Sequence, residues 1–68
     1  MKFSKPINDR RIKKGWSQAE LARRALINKA GLCEVLSGKA KIDLPRLIKV
    51  AQALDVNVWE LVKEAELL

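Results

Sequence analysis

The sequence has few of the residues that form catalytic and metal sites. It contains no histidine, and Cys33 is its one cysteine. A structural zinc site takes four Cys or His ligands, so the composition excludes one. No glycine-rich phosphate loop and no nucleophile–base pair is visible, so we expect no enzyme, no cofactor and no small-molecule ligand. A single cysteine cannot close an internal disulfide, which indicates a reducing compartment.

Long apolar runs are also missing. The first residues, MKFSKPINDRR, contain no continuous apolar core and no cleavage-site pattern, so we expect no signal peptide. No apolar segment approaches the roughly 20 residues that span a bilayer. We therefore expect a cytoplasmic protein without a membrane partner.

What is present is a short chain with helical periodicity. The 68 residues are 49% hydrophobic, which argues against disorder, and they leave room for one domain, residues 1–68. Apolar residues recur at helical spacing, and the sequence has no strand pattern or internal repeat. It predicts a compact five-helix all-α domain, with helices at about 5–14, 18–25, 29–36, 44–54 and 58–66.

Charge is divided unevenly along the chain, whose net charge is +6. Residues 1–41 hold eleven Lys or Arg and three acids, net +8, whereas residues 42–68 hold three Lys or Arg and five acids, net −2. A basic surface favours phosphate backbones or anionic lipids, or it serves only to keep the domain in solution.

The most informative stretch, Gln18 to Ser37, has the pattern of two short helices joined by a tight turn. Ser17 and Glu20 form a capping box, in which the Ser hydroxyl takes the Glu20 amide and the Glu carboxylate returns to the Ser17 amide. Asn28 is a good N-cap for the second helix. This is the pattern of a helix-turn-helix. The predicted apolar faces are Leu21, Ala22 and Ala25 in the first of its helices, and Leu32, Val35 and Leu36 in the second.

The flanking helices have recognisable ends. Ser4 is the predicted cap of the first helix, with Pro6 in its first turn. Trp16 precedes the Ser17 cap and is expected to pack onto the core, and the alternative is a ring that stacks on nucleic-acid bases. Asp43 and Asn57 cap the fourth and fifth helices. The buried positions predicted for these two helices are Leu44, Leu47, Ile48, Ala51 and Leu54, then Val58, Leu61, Val62 and Ala65.

The run SQAELARRALINKAGLCEVLSGK resembles the helix-turn-helix of the phage repressor and Cro family, the XRE-type DNA-binding domains. The resemblance continues through LIKVAQALDVNVWELV, so it covers about Ile7 to Val62. The residues that match the family pattern are Ser17, Gln18, Glu20, Leu21, Ala22, Ile27, Leu32, Val35 and Gly38.

Three positions depart from that family pattern. Leu26 occupies a turn position that usually holds glycine, and Gly31 lies inside the second helix of the motif. Leu36 stands where many relatives have an acid that pairs with the residue matching Arg11. Gly31 is expected to permit a close approach, either of DNA or of a neighbouring helix.

The resemblance implies that the second helix of the motif lies in the major groove of double-stranded DNA. Its outward residues Lys29, Ala30 and Glu34 are then the candidates for contact with base edges. Each has a plainer alternative. Lys29 could hold a phosphate or be a solvated charge, Ala30 could serve only helix propensity, and Glu34 could orient a neighbouring cation.

Backbone phosphates have their own candidates. In the relatives the residue matching Gln18 holds a phosphate and braces the residue matching Lys29, and the amides of a helix N-terminus add to the site. Arg10, Arg23 and Arg24 are expected to be solvated. The other phosphate candidates are Ser17, Ser37, Lys39, Lys41 and Arg11.

Dimerisation is a further implication of the resemblance. In the relatives the residues between the fourth and fifth helices meet across a two-fold axis, and here these are Val56, Val58 and Trp59. Trp59 is expected to point about 100° away from the apolar stripe of its helix. The alternative is a Trp59 ring folded back onto the end of the fourth helix.

The sequence therefore predicts a sequence-specific transcriptional regulator, a bacterial or phage-encoded Cro-like repressor that binds a palindromic operator as a homodimer. In one alternative the free protein is a monomer and dimerises only when it binds DNA. An antitoxin or a restriction-modification controller would use the same fold with a different partner. A protein-interaction adaptor is the alternative from another class, and the basic half of the chain argues against it.

Overall fold

The computed structural model describes residues 2–66 and contains five α-helices within them. The helix-turn-helix is formed by α2 and α3, and α1, α4 and α5 surround it. The bounds predicted for the second, third and fifth helices are confirmed. The first helix begins one residue earlier than predicted, and both it and the fourth end one residue earlier. The helices are α1 (Ser4–Lys13), α2 (Gln18–Ala25), α3 (Lys29–Leu36), α4 (Leu44–Ala53) and α5 (Val58–Glu66).

Side-chain caps begin four of the helices, because the first amides of a helix lack partners within it. The Ser17 hydroxyl accepts from the Glu20 amide at 3.0 Å, and Asn28 Oδ1 accepts from the Gly31 amide at 3.2 Å. Asp43 Oδ1 accepts from the amide of Arg46 at 3.0 Å, and Asn57 Oδ1 from that of Trp59 at 2.9 Å. These caps fix the starts of α2 to α5 by chemistry that reaches only three residues along the chain.

Two predicted caps are wrong. Ser4 lies inside α1 and does not cap it, because the helix already begins with the Ile7 amide bonded to the Phe3 carbonyl at 3.1 Å. The Glu20 carboxylate does not return to Ser17. It instead accepts from the guanidinium groups of Arg23 and Arg24, which pull it toward the end of α2.

The turn between α2 and α3 contains a strained residue. Leu26 has φ 59° and ψ 43°, the left-handed conformation that glycine normally supplies. Its side chain is 81% exposed, so no burial compensates the strain, which costs about 1 kcal/mol. The turn therefore keeps the backbone geometry usual for the motif at the expense of some stability.

The core lies where the five helices meet. Its largest fully buried side chains are Ile7, Leu21, Leu32, Val50, Leu54 and Leu61. The apolar faces predicted for α2 and α3 are buried as expected. On α5 Leu61 and Ala65 are buried, whereas Val58 and Val62 are half-buried.

The face predicted for α4 is partly wrong. Leu44 and Ile48 are 62% and 39% exposed, whereas Val50, which was not predicted to be buried, is fully buried. The reason is that α4 packs against both α2 and α5, so its buried face extends from Leu47 toward Val50 rather than toward Ile48.

Long-range polar contacts hold α1 in place. The guanidinium of Arg10 pairs with the carboxylate of Glu64 and lies 3.7 Å from that of Glu60, which links α1 to α5. Arg10 is therefore paired and half-buried, not solvated as the sequence suggested. Because α1 also packs against α3, this link helps to fix the scaffold behind the motif.

Candidate nucleic-acid interface

One face of α3 is free of intramolecular packing. Lys29, Ala30 and Glu34 are all exposed, and Gly31 lies among them. The opposite face is buried against the core through Leu32, Val35 and Leu36, which holds the exposed face at a fixed angle. The structure therefore brings the three candidate base-contacting residues together on one accessible surface, and Cys33 beside them is half-buried.

The start of α2, which precedes α3 in the chain, carries the first group of phosphate candidates. Ser17 is exposed and Gln18, the first residue of the helix, is half-buried. The Ser17 hydroxyl already accepts from the Glu20 amide, so it keeps its proton free to donate to another acceptor. A helix N-terminus with free donors is a suitable site for an anion such as a phosphate.

The segment that follows α3 carries the second group of phosphate candidates. The Glu34 carbonyl accepts from the Ser37 hydroxyl at 3.0 Å and from the amides of Lys39 and Ala40 at 2.9 and 3.2 Å. These three bonds fold the connection tightly and leave the Lys39 side chain, and that of Lys41, exposed. Because the Ser37 hydroxyl already donates its proton to the Glu34 carbonyl, it has no proton left to donate to a phosphate.

A groove runs between α3 and the start of α4. Glu34 lines it together with Lys41 and Arg46, and the Arg46 guanidinium pairs with the Asp43 carboxylate. The Glu34 carboxylate thus lies in the same groove as two cations, which is compatible with its alternative role of orienting a neighbouring base-contacting or phosphate-contacting cation.

Trp16 forms a separate cluster with one cation from the end of α1 and one from α2. The Arg24 guanidinium lies 4.3 Å and the Lys14 ammonium 5.2 Å from the centre of the Trp16 ring. The ring also packs against the core, as predicted. The cations on the ring and the core beside it favour a structural role for Trp16.

Glu20 pairs with the two arginines of α2, Arg23 and Arg24. Hydrogen bonds from Arg23 and Arg24 lower the pKa of Glu20 from 4.5 to about 2, and the same contact raises the pKa of Arg23. Glu20 is therefore ionised at neutral pH and offsets part of the positive charge of α2.

Arg11 is held inside the fold, unlike the other phosphate candidates. Its Nε and Nη2 donate to Asn8 Oδ1 at 3.2 and 3.1 Å, and its Nη1 donates to the Trp16 carbonyl at 2.6 Å. All three nitrogens of the guanidinium thus have internal partners, which separates Arg11 from the exposed set.

Sequence reasoning missed Asn8. It precedes Arg11 by three residues, the spacing at which side chains on a helix meet, and that was the available signal. Its other partner is the carbonyl of Leu36, 28 residues along the chain, and no local pattern points to that contact.

The surface proposed for pairing lies on the far half of the chain. Trp59 is 72% exposed, whereas Val56 and Val58 are half-buried. A tryptophan folded back onto the end of α4 would bury its ring, so this exposure contradicts that alternative. Trp59 points away from the core, as predicted.

Neither a metal site nor a membrane span is found among residues 2–66. No three of their His, Cys, Asp and Glu side chains are grouped so that they could hold a metal ion. None of their helices is long and apolar enough to cross a bilayer.

An all-α scaffold with a helix-turn-helix whose second helix is exposed, in the basic half of its chain, is typical of a DNA-binding domain. The family model described as "Helix-turn-helix" matches residues 7–61, and the chain belongs to that family, in its XRE type. The protein is therefore a DNA-binding transcriptional regulator.

A solved structure extends the comparison. The restriction-modification controller protein C.AhdI from Aeromonas hydrophila is 32% identical in sequence and has the same fold, with a TM-score of 0.83. The match covers 88% of this chain and 91% of that chain. No curated protein sequence gives a significant match.

Proposed function

We propose that the protein recognises a specific double-stranded DNA sequence, a palindromic operator, and regulates transcription from it as a homodimer. The observation that supports this most is the exposed face of α3, where Lys29, Ala30 and Glu34 lie together. An α-helix fits the B-DNA major groove, where the base pairs present distinguishable donor and acceptor patterns.

Base contacts are assigned by side-chain chemistry. Lys29 is the first residue of α3 and can donate to guanine O6 and N7, whereas Ala30 can contact a thymine methyl group. Glu34 can accept from cytosine N4, and its alternative is to orient Lys41 or Arg46 across the groove.

Phosphate contacts lie on both sides of these residues. Ser17 and Gln18 would hold one phosphate at the start of α2, and Lys39 and Lys41 would hold another beyond α3, whereas the Ser37 hydroxyl donates its proton to the Glu34 carbonyl. Such contacts place a protein on the duplex without specifying sequence. We do not carry Arg11 into this set, because its guanidinium is engaged within the fold.

The homodimer would form through Val56, Val58 and Trp59. A large exposed aromatic beside half-buried valines is typical of the centre of a small interface. Because such an interface is small, the free protein can be monomeric and pair only when two copies bind adjacent half-sites.

Three biological settings fit this mechanism. The sequence favours a Cro-like repressor, and the likeness to C.AhdI, which is described as a restriction-modification controller protein, favours a controller of that kind. A neighbouring endonuclease gene would support the controller, and a neighbouring toxin gene would support an antitoxin instead. In each setting the protein acts on genomic DNA, so we place it in the cytoplasm.

The proposal is tested by selecting bound duplexes from a random DNA pool. We expect a palindrome whose half-sites lie one helical turn apart, roughly 34–36 Å. Affinity for the selected duplex should fall steeply with salt, with a log–log slope of about −0.9 for each neutralised phosphate. Failure to enrich any sequence, together with a flat salt response, would favour the protein-interaction adaptor.

A further inference from the structure

The side-chain amide of Asn8 joins the two ends of the helix-turn-helix. Its Nδ2 donates to the carbonyl of Leu36, the last residue of α3, at 3.2 Å. Its Oδ1 accepts from Arg11 Nε and Nη2 at 3.2 and 3.1 Å. Arg11 in turn donates to the carbonyl of Trp16, the residue before the Ser17 cap, at 2.6 Å. One continuous network therefore links the residue before the cap of α2 with the end of α3.

The chemistry of the partners fixes the orientation of this amide. A guanidinium has only donors, and a backbone carbonyl has only acceptor positions. Asn8 must therefore turn its oxygen to Arg11 and its NH₂ group to Leu36. An aspartate could keep the first contact but, when ionised, has no proton for the second.

The contact with Leu36 completes the end of α3. The last four carbonyls of a helix lack partners within it. Those of Cys33, Glu34 and Val35 accept from the amides of Ser37, Lys39 and Gly38, all within about one turn. The Leu36 carbonyl accepts its hydrogen bond from another helix, from the side chain of Asn8 in α1.

The network lies behind the proposed DNA-binding surface and not on it. Trp16 is followed directly by Ser17 and Gln18, and Leu36 is followed by Ser37 and the segment that contains Lys39 and Lys41. The two carbonyls that the network holds thus lie next to the two edges that are proposed to bind phosphates. The distance between these two edges decides whether both can bind one duplex while α3 lies in the groove.

We infer that Asn8 is a positioning residue for DNA recognition: through Arg11 and Leu36 it fixes the spacing between the two phosphate-binding edges. This rests on the proposed function. In this chain an amide from α1 connects Arg11 with the end of α3.

The test compares Asn8→Ala, which removes both contacts, with Asn8→Asp, which keeps the Arg11 contact and loses the Leu36 contact. Asp9→Ala is the matched control, because Asp9 is the next residue on α1 and, among residues 2–66, pairs with Lys5 alone, at 2.8 Å on the exposed side. Each protein is titrated with the selected palindromic duplex and with a random-sequence duplex of the same length. Circular dichroism sets the temperature at which all four proteins are folded, and Asn8→Asp alone decides if Asn8→Ala does not fold.

Both Asn8 variants should lower the ratio of specific to non-specific affinity, by about 3- to 30-fold. The ratio cancels the extra charge of Asn8→Asp, and Asp9→Ala should leave it unchanged. The salt slope on the selected duplex should also become less negative, by about 0.9 for each phosphate no longer reached. A merely structural loss of stability would not change that slope in folded protein.

An unchanged ratio in Asn8→Ala would overturn the inference, and an unchanged ratio in Asn8→Asp would overturn the link to Leu36. A wild-type protein that does not distinguish the two duplexes would instead contradict the proposed function. The two failures are therefore distinguishable in the same titrations.

Discussion

Lys29 and Lys39 carry the same charge at opposite ends of α3, and their positions give them different proposed tasks. Lys29 begins the helix on its exposed face, whereas Lys39 lies beyond its end in the folded connection. A cation that meets base edges affects the choice of sequence, and one that meets phosphates affects affinity for every sequence.

We predict that Lys29→Ala and Glu34→Ala change sequence preference, with about 1–3 kcal/mol lost for each broken base contact. Lys39→Ala should weaken binding to all duplexes alike. The measurement is a titration against a panel of duplexes that each differ from the selected operator at one base pair. If Lys29→Ala weakens every member of the panel equally, Lys29 contacts phosphate only.

A second residue-scale prediction concerns how the stability of the fold depends on pH. The pKa of Glu20 is lowered from 4.5 to about 2 by Arg23 and Arg24, so its folded-state pKa lies below its unfolded-state value. The stability that Glu20 contributes is therefore full above about pH 4.5 and is lost as the pH falls toward 2. The contribution is small and weakened by salt, because both arginine side chains are exposed to solvent and that of Glu20 is partly exposed.

We predict that Glu20→Gln lowers the free energy of unfolding at pH 7 and reduces its decline between pH 4.5 and pH 2. Urea unfolding at low ionic strength, at several pH values, measures both effects. Asp55→Asn is a comparison on the opposite half of the chain, where no ion pair of the described residues includes Asp55. An identical acid dependence in wild-type and Glu20→Gln proteins would contradict the assignment.

At the scale of the element, Gly31 is the unexpected feature of α3. The sequence left two explanations, close approach of a neighbouring helix or of DNA. A Cβ atom placed on Gly31 meets no heavy atom within 4 Å, so no neighbouring helix requires the glycine. Of the two, the approach of DNA remains.

We predict that Gly31→Ala raises the free energy of unfolding by up to about 1 kcal/mol, because alanine favours the helix, and at the same time weakens binding to the selected duplex. Chemical denaturation and DNA titration of one preparation give both numbers. Gly38→Ala is the contrast, since φ at Gly38 is +83° and an alanine there should cost about 1 kcal/mol. A destabilised Gly31→Ala would mean that the glycine serves the fold itself.

For the whole molecule, size decides how DNA can be read. The backbone of the described residues extends 27 × 24 × 20 Å and includes one helix-turn-helix, whereas half-sites one helical turn apart are separated by roughly 34–36 Å. One copy therefore cannot read two such half-sites, and a palindromic operator requires two.

We predict that Trp59→Ala leaves the fold intact, because the side chain is 72% exposed, but lowers affinity for the full palindrome much more than for an isolated half-site. Circular dichroism checks the fold, and titrations with the two duplexes check the difference. Leu44→Ala is a matched control, as Leu44 is 62% exposed on another helix and is not in the proposed interface. Equal losses on both duplexes would place the dimer contact elsewhere.

The sequence by itself determined the helices of this protein and its class. Ser17, Asn28, Asp43 and Asn57 start four helices through bonds to amides two or three residues ahead, which a reader of the sequence can find. The exposed side of α3 also followed from the sequence, because the apolar period of a short helix leaves only one face for solvent.

Tertiary structure alone decided what depends on residues far apart in the chain. Val50 rather than Ile48 is buried, because α4 packs against both α2 and α5, and the arrangement of these two helices decides which side of α4 is covered. Arg10 meets Glu64 across 54 residues, and Asn8 meets Leu36 across 28. Capping and periodicity act within a turn of helix, whereas these contacts exist only after the helices have packed, so no local pattern in the sequence contains them.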